Sequence, residues 1–220
     1  MGGYVGWILV IAVLALPIVL GLTREVGVLR RVTRADREIR KLATAPGWEL
    51  EAPRPGALRD RFLYHFAWVD APVVRVLNGS HDGHEVTVSR AQLLEQRRGL
   101  HWFSVSFRLP RDYPMLRLER DWSGRKMGLT VPHGVLYVPV ASDVHAIAGP
   151  LESARLPERL LLLGAPAVSL AGGEIMFLYH PMPDVPDLLG LVTELGALLP
   201  DMLEVAESLR EDPAAPEDAS

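Results

Sequence analysis

The densest cluster of ligand-capable side chains is His81-Asp82-Gly83-His84, two imidazoles and a carboxylate within four residues. Such a set can hold a divalent ion through imidazole nitrogen and carboxylate oxygen, which would suit a metal-dependent hydrolase. A plainer reading competes with it. Asp-Gly between two runs of β-formers makes a tight hairpin turn, because both residues can take positive φ. No third ligand motif accompanies the histidines, so the turn reading is adopted and no metal is assigned. Asp143-x-His145 offers an acid and a base, but residues two apart on a helix point to different faces. His133 and His180 stand beside prolines, with no partner that the sequence identifies.

The remaining chemistry-bearing motifs fail on pattern. The chain has no cysteine and no Gly-x-Ser-x-Gly, so neither common nucleophile is set up. Trp122-Ser-Gly-Arg-Lys-Met-Gly128 lacks the Gly-x-x-x-x-Gly-Lys-Ser/Thr phosphate loop. Ala171-Gly172-Gly173 falls between two expected strands and reads as a hairpin turn, not a dinucleotide loop. Trp48, Trp68, Trp102, Phe103, Phe107 and Phe177 could line a ligand pocket, although aromatics at alternating strand positions usually form core. No catalytic residue and no cofactor is assigned, and the chain is read as non-enzymatic.

What must position these residues begins with a sharp change of composition. Residues 4–22 carry no charge, and as a helix they reach ~28 Å, close to the ~30 Å hydrocarbon thickness of a bilayer. Tyr4 and Trp7 suit the headgroup layer at one end. Met1-Gly2-Gly3 has no basic side chain and Leu20-Gly21-Leu22-Thr23 is a poor cleavage site, so residues 1–22 are read as a retained transmembrane helix, not a signal peptide. Beyond it stand Arg24, Arg30, Arg31, Arg34, Arg37, Arg40 and Lys41. The positive-inside rule then leaves the N-terminus outside and the body in the cytoplasm of a single-pass cell-membrane protein. On a cytoplasmic body the Asn78-Gly79-Ser80 glycosylation sequon carries no meaning.

Residues 23–46 are expected to form a basic juxtamembrane helix. Val28, Val32, Ala35, Ile39 and Leu42 recur at four–three spacing as one apolar seam, and Pro46-Gly47 ends it. Asp36 and Arg40 are set for an i,i+4 pair. The seam could pair two copies as a short coiled coil, pack on its own domain, or lie along anionic lipid. Arg30, Arg31, Arg34, Arg37, Arg40 and Lys41 are the residues expected to face acidic headgroups, each adding about 1 kcal/mol near the surface.

Residues 47–210 are expected to form a soluble α+β domain of antiparallel β-hairpins with helices after them. Strands are read at 48–51, 73–77, 85–88, 101–109, 116–118 and 134–138, with Pro110 ending the fourth. Residues 167–170 and 174–179 form a further hairpin. Helices are expected at 56–62, 143–149 and after Pro157 to Gly164. A long C-terminal helix over 184–209 should kink or divide at Pro200. Residues 211–220 read as a disordered acidic tail. The acidic end from Asp201 onward is expected to lie against the basic helix. A net charge of −4 argues against nucleic acid as a partner.

Gly47-Trp48-x-Leu50, Arg61-Phe62, Asn78-Gly79 with Gly83, Leu109-Pro110 and Pro114-x-Leu116 together resemble a group of uncharacterised bacterial membrane-anchored proteins. In these, one or two N-terminal membrane helices precede a soluble α+β domain. The resemblance spans roughly residues 42–205 and implies architecture, with no activity and no site residues. The expected function is a membrane-tethered, cytoplasmic-facing interaction module that binds a protein partner or a second copy of itself. The alternative is a small-ligand or lipid-binding domain with a pocket between sheet and C-terminal helix.

Overall fold

The computed structural model describes residues 16, 23, 25–52, 64–66, 73–93, 100–120, 129–130, 136–141, 144–180 and 182–209. Apart from Leu16, the span expected over residues 4–22 lies outside them, as do the helix at 56–62, Trp68, the 122–128 segment, His133, Asp143 and the 211–220 tail. Among the described residues, no helix is long and apolar enough to cross a membrane.

Helix α1 covers 25–42 and ends in a turn where Gly47 takes φ +81°. Three strands follow: β1 (Glu49–Glu51), β2 (Val73–His81) and β3 (His84–Leu93). Next come β4 (Leu100–Arg120), β5 (Leu129–Thr130) and β6 (Leu136–Ala141). Helices α2 (Val144–Ser153) and α3 (Leu156–Leu162) lead into β7 (Ala167–Tyr179), and α4 (Leu188–Gly196) and α5 (Leu199–Glu207) close the described chain. The seven strands form one antiparallel sheet in the order β1-β2-β3-β4-β6-β5, with β7 on the opposite edge of β4. The α+β architecture expected from sequence is therefore present.

The β2–β3 hairpin turns on Asp82 (φ +49°) and Gly83 (φ +81°), the positive-φ pair that a two-residue turn requires. Asn78-Gly79, also a turn-forming dipeptide by composition, is inside β2. Asn78 bridges strands there, donating to Glu51 Oε2 at 2.9 Å and accepting from Thr87 Oγ1 at 2.9 Å. Gly79 leaves room for the Trp48 indole, which a Cβ would overlap.

Two expected breaks are not breaks. β4 runs through Pro110 as one strand of 21 residues, and β7 runs through Gly172-Gly173 as one strand of 13. The ladder pairs Arg108 with Glu174 and then Tyr113 with Gly172, so Leu109–Asp112 bulge opposite Gly173 alone. Pro110 is tolerated because it falls in the bulge, where no ladder hydrogen bond is owed. Gly172 (φ +57°) and Gly173 admit the bulge, and a Cβ on Gly173 would sit 3.2 Å from Asp112 Oδ1. β4 also changes neighbours there: before the bulge its free edge pairs β3, after it β6.

The helices cover one face of the sheet. Phe103, Val105 and Phe107 of β4 and Ile175, Phe177 and Tyr179 of β7 point into that layer, where they meet Ile147, Leu160, Leu195 and Met202. The C-terminal helix is divided, as Pro200 implied, with Pro200 in the first turn of α5 where its missing N–H costs nothing. A smaller apolar cluster on the opposite face joins Phe66, Ala91, Trp102, Met176 and Leu178.

Candidate functional site

Helix α1 belongs to the domain core. Ala35, Ile39 and Leu42 are buried with the sheet-facing residues, and Val32 packs against them. Burying Ile39 and Leu42 contributes roughly 1.5–3 kcal/mol each. The seam offered for pairing two copies is thus occupied within one chain. An ion pair reinforces the dock: Arg90 Nε donates to Asp36 Oδ1 at 2.9 Å and Nη2 to Oδ2 at 3.3 Å. The i,i+4 partnership of Asp36 with Arg40 is replaced by this contact, because a buried bidentate arginine holds the carboxylate better than an exposed neighbour. Burial holds the adjacent His101 imidazole below its ordinary value; the Arg90 charge adds to this and Asp36 opposes it.

With the seam inward, the arginines are presented outward. Arg30, Arg34 and Arg37 follow four–three spacing and share one exposed face. Arg34 Nη1 donates to both carboxylate oxygens of Asp184, at 2.8 and 2.7 Å, and Arg31 Nη1 donates to Met182 O at 3.4 Å. Lys41 pairs with Glu38 at 3.4 Å. Among the described residues, Arg30, Arg37 and Arg40 have no acidic partner. Between residues 26–37 of α1 and the strand-to-helix connection at Asp184 lies an open groove of about 560 Å³. Its walls carry Arg30, Arg31, Arg34 and Arg37 together with Val26 and Leu29.

The acidic end of the last helices lies elsewhere. Asp201 pairs with Arg159 of α3 and Glu207 with Arg111 in the β4 bulge. The expected contact of this end with the basic helix is therefore replaced by contacts across α3 and β4. Asp184, before α4, is the carboxylate that α1 meets.

The other candidate side chains serve the fold. His81 Nε2 lies 3.0 Å from Thr193 Oγ1 and 3.3 Å from Asp82 Oδ2, so it ties the hairpin tip to α4. His84 Nδ1 lies 3.4 Å from Arg108 O, with its ring edge-on to Phe107. The two imidazoles have different partners, and no metal-holding group of three exists among the described residues. Phe103, Phe107 and Phe177 are core, with Phe107 and Phe177 edge to face at 6.1 Å, in the layer where a sheet–helix pocket was the alternative.

One polar set escaped the sequence reading. His65 Nδ1 lies 3.1 Å from Ser169 Oγ, and Nε2 lies 3.3 Å from Glu174 Oε2. The order Ser–His–carboxylate resembles a nucleophile, base and orienting acid. However, Ser169 is 0 % exposed and stands mid-strand opposite Arg117 in the β4–β7 ladder. The set instead fastens residues 64–66 to β7, helped by Arg117 Nη2 donating to Tyr64 O at 3.2 Å. No local sequence signal links residue 65 to 169.

The fold and site together define an α+β domain with an integral basic helix. No protein-family model matches the chain, and no curated protein matches it in sequence. Among solved structures it is similar to the crystal structure of the mycobacterial trehalose monomycolate transport factor A, TtfA. That match covers 82 % of this chain and 97 % of the other at 12 % identity, with a TM-score of 0.49.

Proposed function

We propose that this protein is a membrane-tethered module that acts by binding, without chemistry of its own, at the cytoplasmic face of the cell membrane. The carrying observation is that α1 is docked on the sheet through Ala35, Ile39, Leu42 and the Asp36–Arg90 pair. A basic helix that begins at the expected end of a membrane span is thus one body with the domain. It holds the sheet at a set distance from the bilayer and turns Arg30, Arg34, Arg37, Arg40 and Lys41 outward to anionic headgroups. Arg31 lies beside them, bonded to Met182. The histidine sets support a binding role in that each is committed to a structural partner. A protein partner, or a second copy, would meet the exposed surface of the tethered domain.

The absence of cysteine makes the topology directly testable. Ser80→Cys places a single thiol at the exposed hairpin tip. A membrane-impermeant maleimide should label it only after cells are permeabilised. Labelling of intact cells would reverse the orientation and remove the cytoplasmic reading.

A further inference from the structure

The geometry points to the α1 groove as a binding site for one anionic lipid headgroup, a phosphate ester of a glycerolipid. This inference rests on α1 emerging from a membrane span, as proposed above. Four arginines line the groove against one carboxylate, Asp184. That carboxylate already holds Arg34 through both oxygens, and the Met182 carbonyl holds Arg31. These contacts tether one Nη1 of Arg31 and one of Arg34 to the groove wall. Arg30 and Arg37, without acidic partners among the described residues, are left to be neutralised from outside. Guanidinium forks match phosphate oxygens two at a time, so this wall suits a phosphate better than a diffuse negative surface.

The apolar part of the groove selects the source of the phosphate. Val26 is 47 % and Leu29 61 % exposed, on the same wall as the arginines. A free phosphate or sugar phosphate would leave both in water. A glycerolipid places its glycerol and first acyl carbons there, and removing that area from water is favourable. Position agrees with this. If the proposed span ends at residue 22 and the helix is continuous, Arg30 would stand about 12 Å along it, and helical side chains lean back toward the N-terminus, which would be toward the bilayer. A volume near 560 Å³ is within the range of small-ligand sites, enough for one headgroup.

The test uses the full chain in micelles doped with phosphatidylglycerol or phosphatidylcholine, with retained lipids counted by native mass spectrometry. One phosphatidylglycerol should be retained in preference to phosphatidylcholine. Arg30→Gln and Arg37→Gln should each weaken retention roughly fivefold, the equivalent of one surface basic contact. Arg40→Gln, an equal charge change outside the groove, should change it less than twofold. Equal losses for all three, or no preference for phosphatidylglycerol, would overturn the site in favour of a diffuse basic surface. Displacement of the lipid by millimolar inorganic phosphate would overturn the lipid assignment. Leu29→Gln should weaken lipid retention, and an unchanged result would also count against a lipid. Micelles have no sidedness, so these outcomes are independent of the topology experiment.

Discussion

Replacing Asp36 with alanine should loosen α1 from the sheet without touching its apolar seam. Arg90 is 8 % exposed at its side chain and Asp36 23 %, and two hydrogen bonds join them. Removing one partner of a fully buried pair costs about 3–5 kcal/mol, mainly because the other charge is stranded. Water reaches part of the Asp36 carboxylate, which lowers the expected loss to about 2–3 kcal/mol. For a chain of this size that corresponds to a melting shift of roughly 5–10 °C. The assay is thermal unfolding of the full chain in nanodiscs, followed by tryptophan fluorescence, with amide exchange over residues 25–42 as the local readout. Arg90→Met should cost less than Asp36→Ala, because it leaves a carboxylate that can turn to water. Asp36→Leu with Arg90→Met should recover most of the loss, with a coupling of at least about 1 kcal/mol. A melting shift below 1 °C for Asp36→Ala, or strict additivity in the double variant, would refute the idea that this pair locks the helix.

Three further outcomes follow from the packing. Gly79→Ala drives a methyl into the Trp48 indole and should cost about 1–3 kcal/mol in the same melt, with Trp48→Leu restoring part of it. Burial, then the neighbouring Tyr137 and Glu194, raise the Tyr179 phenol far above its ordinary value, and its hydroxyl has no hydrogen-bond partner among the described residues. Tyr179→Phe should therefore be neutral or stabilising by up to about 1 kcal/mol, whereas Tyr137→Phe, which strips the bond to Pro166 O, should be destabilising. His101 is held below its ordinary value of 6.5 when folded, so below pH 6.5 the unfolded chain gains a proton that the folded ring resists. Stability should fall as pH drops through that value, and His101→Gln should flatten the slope in acid unfolding curves.

What could be read from the chain was whatever short-range chemistry decides. The α1 seam, the Asp82-Gly83 turn, the stop at Gly164 and the division at Pro200 all depend on residues within a few positions of one another. The misread breaks at Pro110 and Gly172-Gly173 share a different cause. Each looks like a strand end in isolation, and only pairing β4 with β7 turns both into one bulge. The site divides the same way. A basic helix was visible in the spacing of Arg30, Arg34 and Arg37, but its contacts with Met182 and Asp184 cross about 150 residues. The loss of Asp36 to Arg90 crosses 54 residues, and that of the acidic helix end to Arg111 and Arg159 crosses 96 and 42. Charge pairing over such distances follows the sheet order, which local patterns do not encode.

The ribbon made by β4 and β7 also dictates when the protein can fold. Both halves of β4 lack their common neighbour until β7 exists, since Phe103 waits for Tyr179 and Leu118 for Val168. At a synthesis rate of roughly 5–20 residues per second, β4 stands incomplete for several seconds after it leaves the ribosome. An anchor of the kind proposed would enter the bilayer well before then. The sheet would thus close beside a membrane surface, with the apolar side of α1 and a long unsatisfied strand edge both open to it. With such an anchor the arginines would act before the native state exists, keeping a nascent chain at the headgroup layer until its last strand arrives.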